Sequence, residues 1–254
     1  MRGTKLAAAL AAAMMLLSGA CAGARADGMV TIALDGQDSG SESGAWQRDE
    51  KGVFIRRPGE YLLTGKLAEG QILVDCLEDG KVTLYLNGVE VHHETGPAIR
   101  IEECSPRAVI SLVEGSDNVL SDGAALVLDE NEEPDGVVFS RSDLSLEGNG
   151  SLKITAGAQN GIVSKDDLKI LGGKLEITAP NHGIKGKDCV EISGGSISIR
   201  AGRDGIKSTN KKDPDRGYID ISGGEITIFC GDDPLSFITS CRMAGGRVNL
   251  TMTE

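Results

Sequence analysis

IVSKDDLKILGGKLEITA (residues 162–179), IKGKDCVEISGGSISIRA (184–201) and IKSTNKKDPDRGYIDISGGEITIFC (206–230) are three copies of one frame. VFSRSDLSLEGNGSLKITA precedes them at 138–156, and a degenerate fifth copy runs over 235–251. The second glycine of each GG pair, Gly173, Gly195, Gly224 and Gly246, returns after 22, 29 and 22 residues, and Gly150 stands 23 before the first. Self-similarity at this period marks stacked repeats, each about as long as one coil of a β-solenoid.

Within each copy the apolar residues alternate. Leu168, Ile170, Leu175 and Ile177 are matched by Val190, Ile192, Ile197 and Ile199, and then by Ile219, Ile221, Ile226 and Ile228. A period of two predicts strands. The GG between paired strands supplies a bend that a side chain would hinder. The expected fold is therefore all-β, a right-handed single-stranded parallel β-helix (β-solenoid) with coils of about 22 residues. Ile170, Ile192, Ile221 and Met243 should form one interior column, and Leu175, Ile197, Ile226 and Val248 another. The 29-residue step holds the insert 210–216, which reads as an outward loop. Residues 70–95 and 96–122 have coil-like length and alternation with weaker registry. Residues 27–57, with the sole Trp46, read as a linker and N-terminal cap before a β-helix spanning 58–254.

Residues 1–26 differ from the rest. Arg2 and Lys5 precede an apolar run over residues 6–17, the pattern of a secretory signal and too short to span a bilayer. Ala24-Arg25-Ala26 offers a cleavage site, and Cys21 is a candidate lipid anchor with Ser18 off the usual lipobox pattern. Either route places the mature chain outside the cytoplasm, as an extracellular or cell-surface protein with no transmembrane segment. Removing residues 1–26 takes away three basic residues and no acid, moving the net charge from −12 to −15. Nucleic acid is an unfavourable partner for such a surface. Hard cations are favourable ones. The five remaining cysteines have no zinc-type spacing and do not make a complete disulfide framework.

Two outward features of the repeat are not demanded by the core. One is the turn before each coil, with Asn160-Gly161, His182-Gly183 and Asp204-Gly205 in line. The other follows the coil's opening strand, where Arg141-Ser142-Asp143, Lys165-Asp166-Asp167 and Lys187-Asp188-Cys189 align. Asn, Asp and Gly also suit turns for backbone reasons alone. Carboxylates stacked one rung apart nevertheless repel one another, and a shared calcium ion relieves that, since its oxygen ligands lie at about 2.3–2.6 Å. Asp143, Asp166, Asp167, Asp188 and Asp204 are the candidate ligands, with Asp213 and Asp215 of the insert as further ones. Beside them run Arg141, Lys165 and Lys187, with Lys185 and Lys207 two residues earlier in their coils. This basic column is either a solvated face that neutralises neighbouring acids or a subsite array for a linear polyanion. With aromatics at 3%, sugar recognition would be polar and ionic. The three histidines form no catalytic arrangement.

The blocks NGIVSKDDLKILGGKLEITAPNHGIKGKDCVEISGGSISIRAGRDGIKS and GYIDISGGEITIFCGDD resemble a family of exported bacterial β-helix proteins, common in clostridia and described as carbohydrate-binding. The resemblance spans residues 135–233 and is weaker upstream. It implies a parallel β-helix that binds calcium, interacts with cellulose and acidic plant polysaccharide, and is akin to pectate lyases. Asp166, Asp167, Asp188, Asn181, Asp204 and Asn210 fall on the family's recurrent positions. Cys189 departs from the pattern, as does the last coil, which lacks the DG-type start. Three readings follow: a calcium-dependent binder of acidic or cell-wall polysaccharide, a lyase using an unpaired Lys or Arg beside calcium, and a structural surface stalk. Regular recurrence of the lysines suits a binding ladder better than a single catalytic base.

Overall fold

The computed structural model describes residues 28–41 and 43–252. The expected signal sequence and the candidate anchor Cys21 lie outside these described residues. All the elements described are strands, which fall into three ladders whose pairings repeat the sequence frame.

The first ladder stacks Ala108–Leu112, Leu144–Gly148, Asp167–Ile170, Cys189–Ile192, Tyr218–Ile221 and Cys241–Met243. The second stacks Asp117–Asp122, Ser151–Thr155, Lys174–Ala179, Ser196–Ala201, Glu225–Cys230 and Arg247–Met252. The third runs from Trp46–Asp49 and Gly52–Ile55 through Gln71–Cys76, Ile99–Cys104, Gly136–Ser140, Asn160–Ser164, Ile184–Gly186 and Ile206–Ser208 to Leu235–Ser236. One repeat contributes one strand to each ladder.

The expected columns are present in register. Ile170 pairs with Ile192, Ile192 with Ile221, and Ile221 with Met243. Leu175, Ile197, Ile226 and Val248 do the same. Except in the last rung these side chains are buried, so each contributes about 2–3 kcal/mol of transfer free energy. The GG corners follow the turn chemistry, with Gly173, Gly195 and Gly224 at φ 90°, 92° and 89°.

The single-stranded right-handed β-helix expected from the repeat is not what the chain forms. The first two ladders are branches of one 15-stranded sheet that fuse on the long strand Val82–His93, whose two halves pair with Ala108–Leu112 and Asp117–Asp122. Beyond it the sheet continues as one ladder through Gly59–Leu67 to Met29–Ala33. The third ladder is a separate nine-stranded sheet, and it begins with an antiparallel pair, Trp46–Asp49 against Gly52–Ile55. The physical cause is local. Later repeats break between their two strands at a glycine corner, whereas VTLYLNGVEVHH keeps strand pairing through Asn87-Gly88 as one 12-residue element, bending there with Gly88 at φ 73° and a register shift in its neighbour at Leu63/Gly65.

Candidate functional site

The corner between the third and first ladders is built by short side chains at strand ends. Ser140 Oγ donates to the carbonyl of Ser142 at 2.7 Å, and Ser164 Oγ donates to that of Asp167 at 3.1 Å while accepting the Asp166 N–H at 3.2 Å. The next rung has Gly186, where a Cβ would stand 2.1 Å from the Cys189 carbonyl oxygen. The chain thus turns tightly at each rung and projects the two following residues outward.

Three of those residues converge. Asp143, Asp166 and Asp167 bring carboxylate oxygens within 4.8 Å of one another, the one such cluster among the described residues. Burial first, and the Asp167 charge next, push the Asp143 carboxyl above its ordinary range. Burial likewise raises Asp166, followed by repulsion from Asp143 and Asp188. A divalent cation would reverse that repulsion, and an all-carboxylate donor set suits a hard cation. The residues therefore fit calcium. Asp188 lies on the next rung, its N–H donating to the Asp166 carbonyl at 3.3 Å. Cys189 occupies the column of Asp143 and Asp167, but burial pushes its thiol up to about 12, so it offers no thiolate at neutral pH.

The insert does not project away from this corner. Arg216 Nη1 donates to Asp167 Oδ1 at 2.7 Å, and its Nε lies 4.0 Å from Asp188 Oδ2. Asn210 Nδ2 donates to Asp188 Oδ1 at 2.6 Å, while its Oδ1 accepts the N–H groups of Lys212 and Asp213. Asp213 and Asp215 stay exposed on the insert's own turn, outside the cluster.

The basic column is largely committed to acids of the chain. Arg141 meets Glu133 at 2.6 Å, Glu102 at 3.0 Å and Asp129 at 3.4 Å. Lys165 pairs with the same Glu133, Lys185 with Asp135 at 2.7 Å, and Lys207 with Asp204 at 2.7 Å. Lys187 is the loosest, 3.8 Å from Asp188 and 48% exposed. Glu133 and Asp135 belong to the segment that crosses the outer face of the third ladder, and Phe139 and Val163 on that ladder are fully buried. A cleft of about 350 Å³ lies beside the acidic corner, with Glu102, Arg141, Ser142, Asp143 and Asp166 among its walls.

The opposite corner, between the second and third ladders, carries a relay between rungs. Asn160 Oδ1 accepts the His182 N–H at 3.0 Å, His182 Nδ1 accepts the Asp204 N–H at 3.2 Å, and Asp204 Oδ1 accepts the Asp233 N–H at 3.1 Å. Each side chain thereby satisfies a backbone donor of the next rung, and the first two of these bonds are buried. Burial, and then the Lys207 charge, lower His182 to about 4, so it is neutral and carries its proton on Nε2. Burial opposes the Asp204 charge, but the bond from Lys207 and the Asp233 N–H hold its carboxyl below the usual range. Both Asp204 oxygens are thus in use. Asn181 donates to Gln159 Oε1 at 3.1 Å, and its Oδ1 is buried without a partner.

Among the sequence-selected residues the structure joins Asp143, Asp166, Asp167, Asp188 and Asn210 at one corner, with Arg141, Lys165 and Lys187 alongside. Asn181, Asp204 and Lys207 lie at the other corner, and Lys185 stands on the third ladder between the two. Arg216, Glu133, Asp135 and His182 were not selected. His182 had a signal, since Asn160, His182 and Asp204 recur 22 residues apart with glycine after each. The others had none within the repeat.

Comparison with known proteins matches residues 49–254 to the family described as carbohydrate-binding domain-containing protein. A protein of Acetivibrio thermocellus with that description is 42% identical over 205 residues, 80% of this chain and 71% of its own. The structure of the polysaccharide lyase-like protein from C. thermocellum, a gadolinium derivative, matches with a TM-score of 0.76 at 33% identity, over 90% of this chain and 97% of that one.

Proposed function

The chain belongs to the family of carbohydrate-binding domain-containing proteins, and from that premise we propose that it is an exported, calcium-dependent binder of acidic polysaccharide such as polygalacturonate. The observation that carries the reading is the meeting of Asp143, Asp166 and Asp167 within 4.8 Å. These three, with Asp188 at their flank, would hold the ion. Bound there, calcium supplies positive charge that a uronate carboxylate can share. That matters because a chain of net charge −12 otherwise repels a polyanion. Lys187, exposed beside Asp188, adds a fixed cation at the same corner. The solved neighbour is a gadolinium derivative, and gadolinium, like calcium, seeks oxygen ligands.

Cleavage is the second reading, favoured by the neighbour's description as polysaccharide lyase-like. A lysine acting as base at the uronate C5 must be free to approach that carbon. Lys165, Lys185 and Lys207 are instead each engaged by a carboxylate of the chain, Glu133, Asp135 and Asp204, rather than standing free to reach a sugar carbon, which supports binding without cleavage.

Polygalacturonate co-sedimentation with and without calcium, alongside absorbance of unsaturated product, tests both readings. Calcium-dependent retention without product is expected. Calcium should also raise the melting temperature by mass action. Asp166→Ala and Asp188→Ala should each shrink that rise, whereas Glu130→Ala on the exposed acidic loop should not. Equal responses from all three would mean a diffuse ionic effect and overturn the site.

A further inference from the structure

Two of the described cysteines stand side by side. Ile72, Leu73 and Val74 pair with Ile99, Arg100 and Ile101, and the ladder then skips Glu102, so that Asp75 pairs with Glu103 and Cys76 with Cys104. Without that bulge Cys76 would face Glu103. Cys76 and Cys104 are 1% and 2% exposed, so both side chains point inward from neighbouring strands. Such strands lie about 4.8 Å apart, inside the span of about 4.4–6.8 Å that separates the Cα atoms of a disulfide. No other described cysteine has a cysteine beside it in its ladder. Cys189 lies between Asp167 and Tyr218, Cys230 between Ala201 and Met252, and Cys241 beside Ile219.

We propose that Cys76 and Cys104 form a reversible disulfide that staples two rungs together. Both hold thiols in this structure, each donating to a carbonyl of its own corner, Cys76 to Glu78 at 3.4 Å and Cys104 to Arg107 at 3.1 Å. A thiol is a weak donor, so a turn about χ1 at each residue gives up little in exchange for the bridge. Each cysteine is the last residue of its strand, where the backbone can yield enough to bring the Cβ atoms to the roughly 3.8 Å that the bond requires.

Cys104 also lines the cleft beside Asp143 and Asp166, and its N–H donates to Ser142 Oγ at 3.0 Å. The cleft is the approach for a small-molecule disulfide such as oxidised glutathione. The Cys104 thiolate attacks one glutathione sulfur, breaking that S–S bond and releasing one glutathione thiolate. The Cys76 thiolate then attacks the Cys104 sulfur, expels the second glutathione thiolate and closes the Sγ–Sγ bond. Two thiol protons pass to solvent and two electrons leave on glutathione. Burial raises both thiols above their ordinary range, so the exchange quickens as pH rises.

The test exposes the folded full chain to oxidised glutathione at mildly alkaline pH and, in a second arm, refolds it from denaturant in the same buffer. Trypsin places Cys76 in residues 67–81 and Cys104 in residues 101–107, so the bridge is read by mass as those peptides joined and parted again by reductant. The bond closes a loop over residues 77–103, and the oxidised chain should melt at least ~5 °C above the reduced one. Cys76→Ala should lose both the joined peptides and that increment, whereas Cys241→Ala should keep both. Comparing oxidised with reduced protein within each variant removes the cost of the substitution itself. Absence of the joined peptides in both arms, glutathione adducts or other pairings in their place, or a bridged chain that melts no higher overturns the proposal.

Discussion

Arg216 lies 2.7 Å from Asp167, a residue 49 positions earlier, so the insert that lengthens one repeat returns its only arginine to the acidic corner. It is a tethered cation at a site suited to a free one.

Arg216→Ala should therefore remove the ion-pair partner of Asp167 and leave Asp188 with only the looser Lys187. Because the guanidinium is more than a third exposed, the calcium-free protein should lose no more than about 1 kcal/mol. The calcium-dependent rise in melting temperature should grow. Thermal melts with chelator and with calcium, on parent and variant, measure both. An unchanged calcium increment would show that Arg216 and the ion do not compete.

The His182 site gives the protein an acid limit. Its folded-state value of about 4 lies below the ordinary 6.5, so the folded state holds it neutral while the unfolded chain takes up a proton. The stability linked to it is fully present above pH 6.5 and is lost as pH falls through about 4, on the order of 3 kcal/mol in all. Asp122 works the other way, since burial raises it to about 6 and stability linked to its protonated form is lost as pH rises from 3.8 through that value. Denaturant titrations at a series of pH values should show a shallower loss between pH 6.5 and 4 for His182→Gln than for the parent.

Glu133→Gln should free Lys165 and loosen Arg141, which keeps Glu102 and Asp129. Both cations are about a third exposed and can rehydrate, so the expected loss is about 1–3 kcal/mol rather than the full cost of an uncompensated buried charge. If the basic column contacts the glycan, polygalacturonate retention should rise in this variant. Unchanged retention would assign those cations to holding the overlying segment.

Ile192→Asp should be among the most damaging single changes. Ile192 is fully buried between Ile170 and Ile221, and a carboxylate there has no partner. A loss on the order of 4 kcal/mol is expected, read as a fall in the denaturation midpoint. Retained stability would contradict the column.

The columns were legible because strands stacked in register repeat their inward residues at the repeat period, so Ile170, Ile192 and Ile221 announce one another. The branching of the large sheet was not, because the slip in alternation from Leu86 to Val89 across Asn87-Gly88 looks the same whether the chain breaks into two strands there or bends within one. At the acidic corner the repeat revealed Asp143, Asp166, Asp167 and Asp188. It was silent on Arg216, Glu133 and Asp135, which sit in segments that occur once and reach their partners through tertiary folding. The basic column was visible as a charge pattern, but its neutralisation from within depended on a loop whose path leaves no periodic trace.

At the glycine corners the chain lies backbone against backbone: a Cβ on Gly194, Gly223 or Gly245 would stand 2.5, 2.3 or 2.4 Å from the carbonyl oxygen of Leu171, Ser193 or Ser222 one rung before. Those joints are alike and admit no side chain, so the rungs that carry a GG pair meet through the same junction. Heredity then has an asymmetric freedom. Duplicating or deleting one whole GG unit in the gene would preserve these glycine junctions and change the length of the stack by about 4.8 Å. Point changes at the corner would not be so forgiven, and novelty in a lineage built this way should accumulate as differing rung number and as insertions like 210–216.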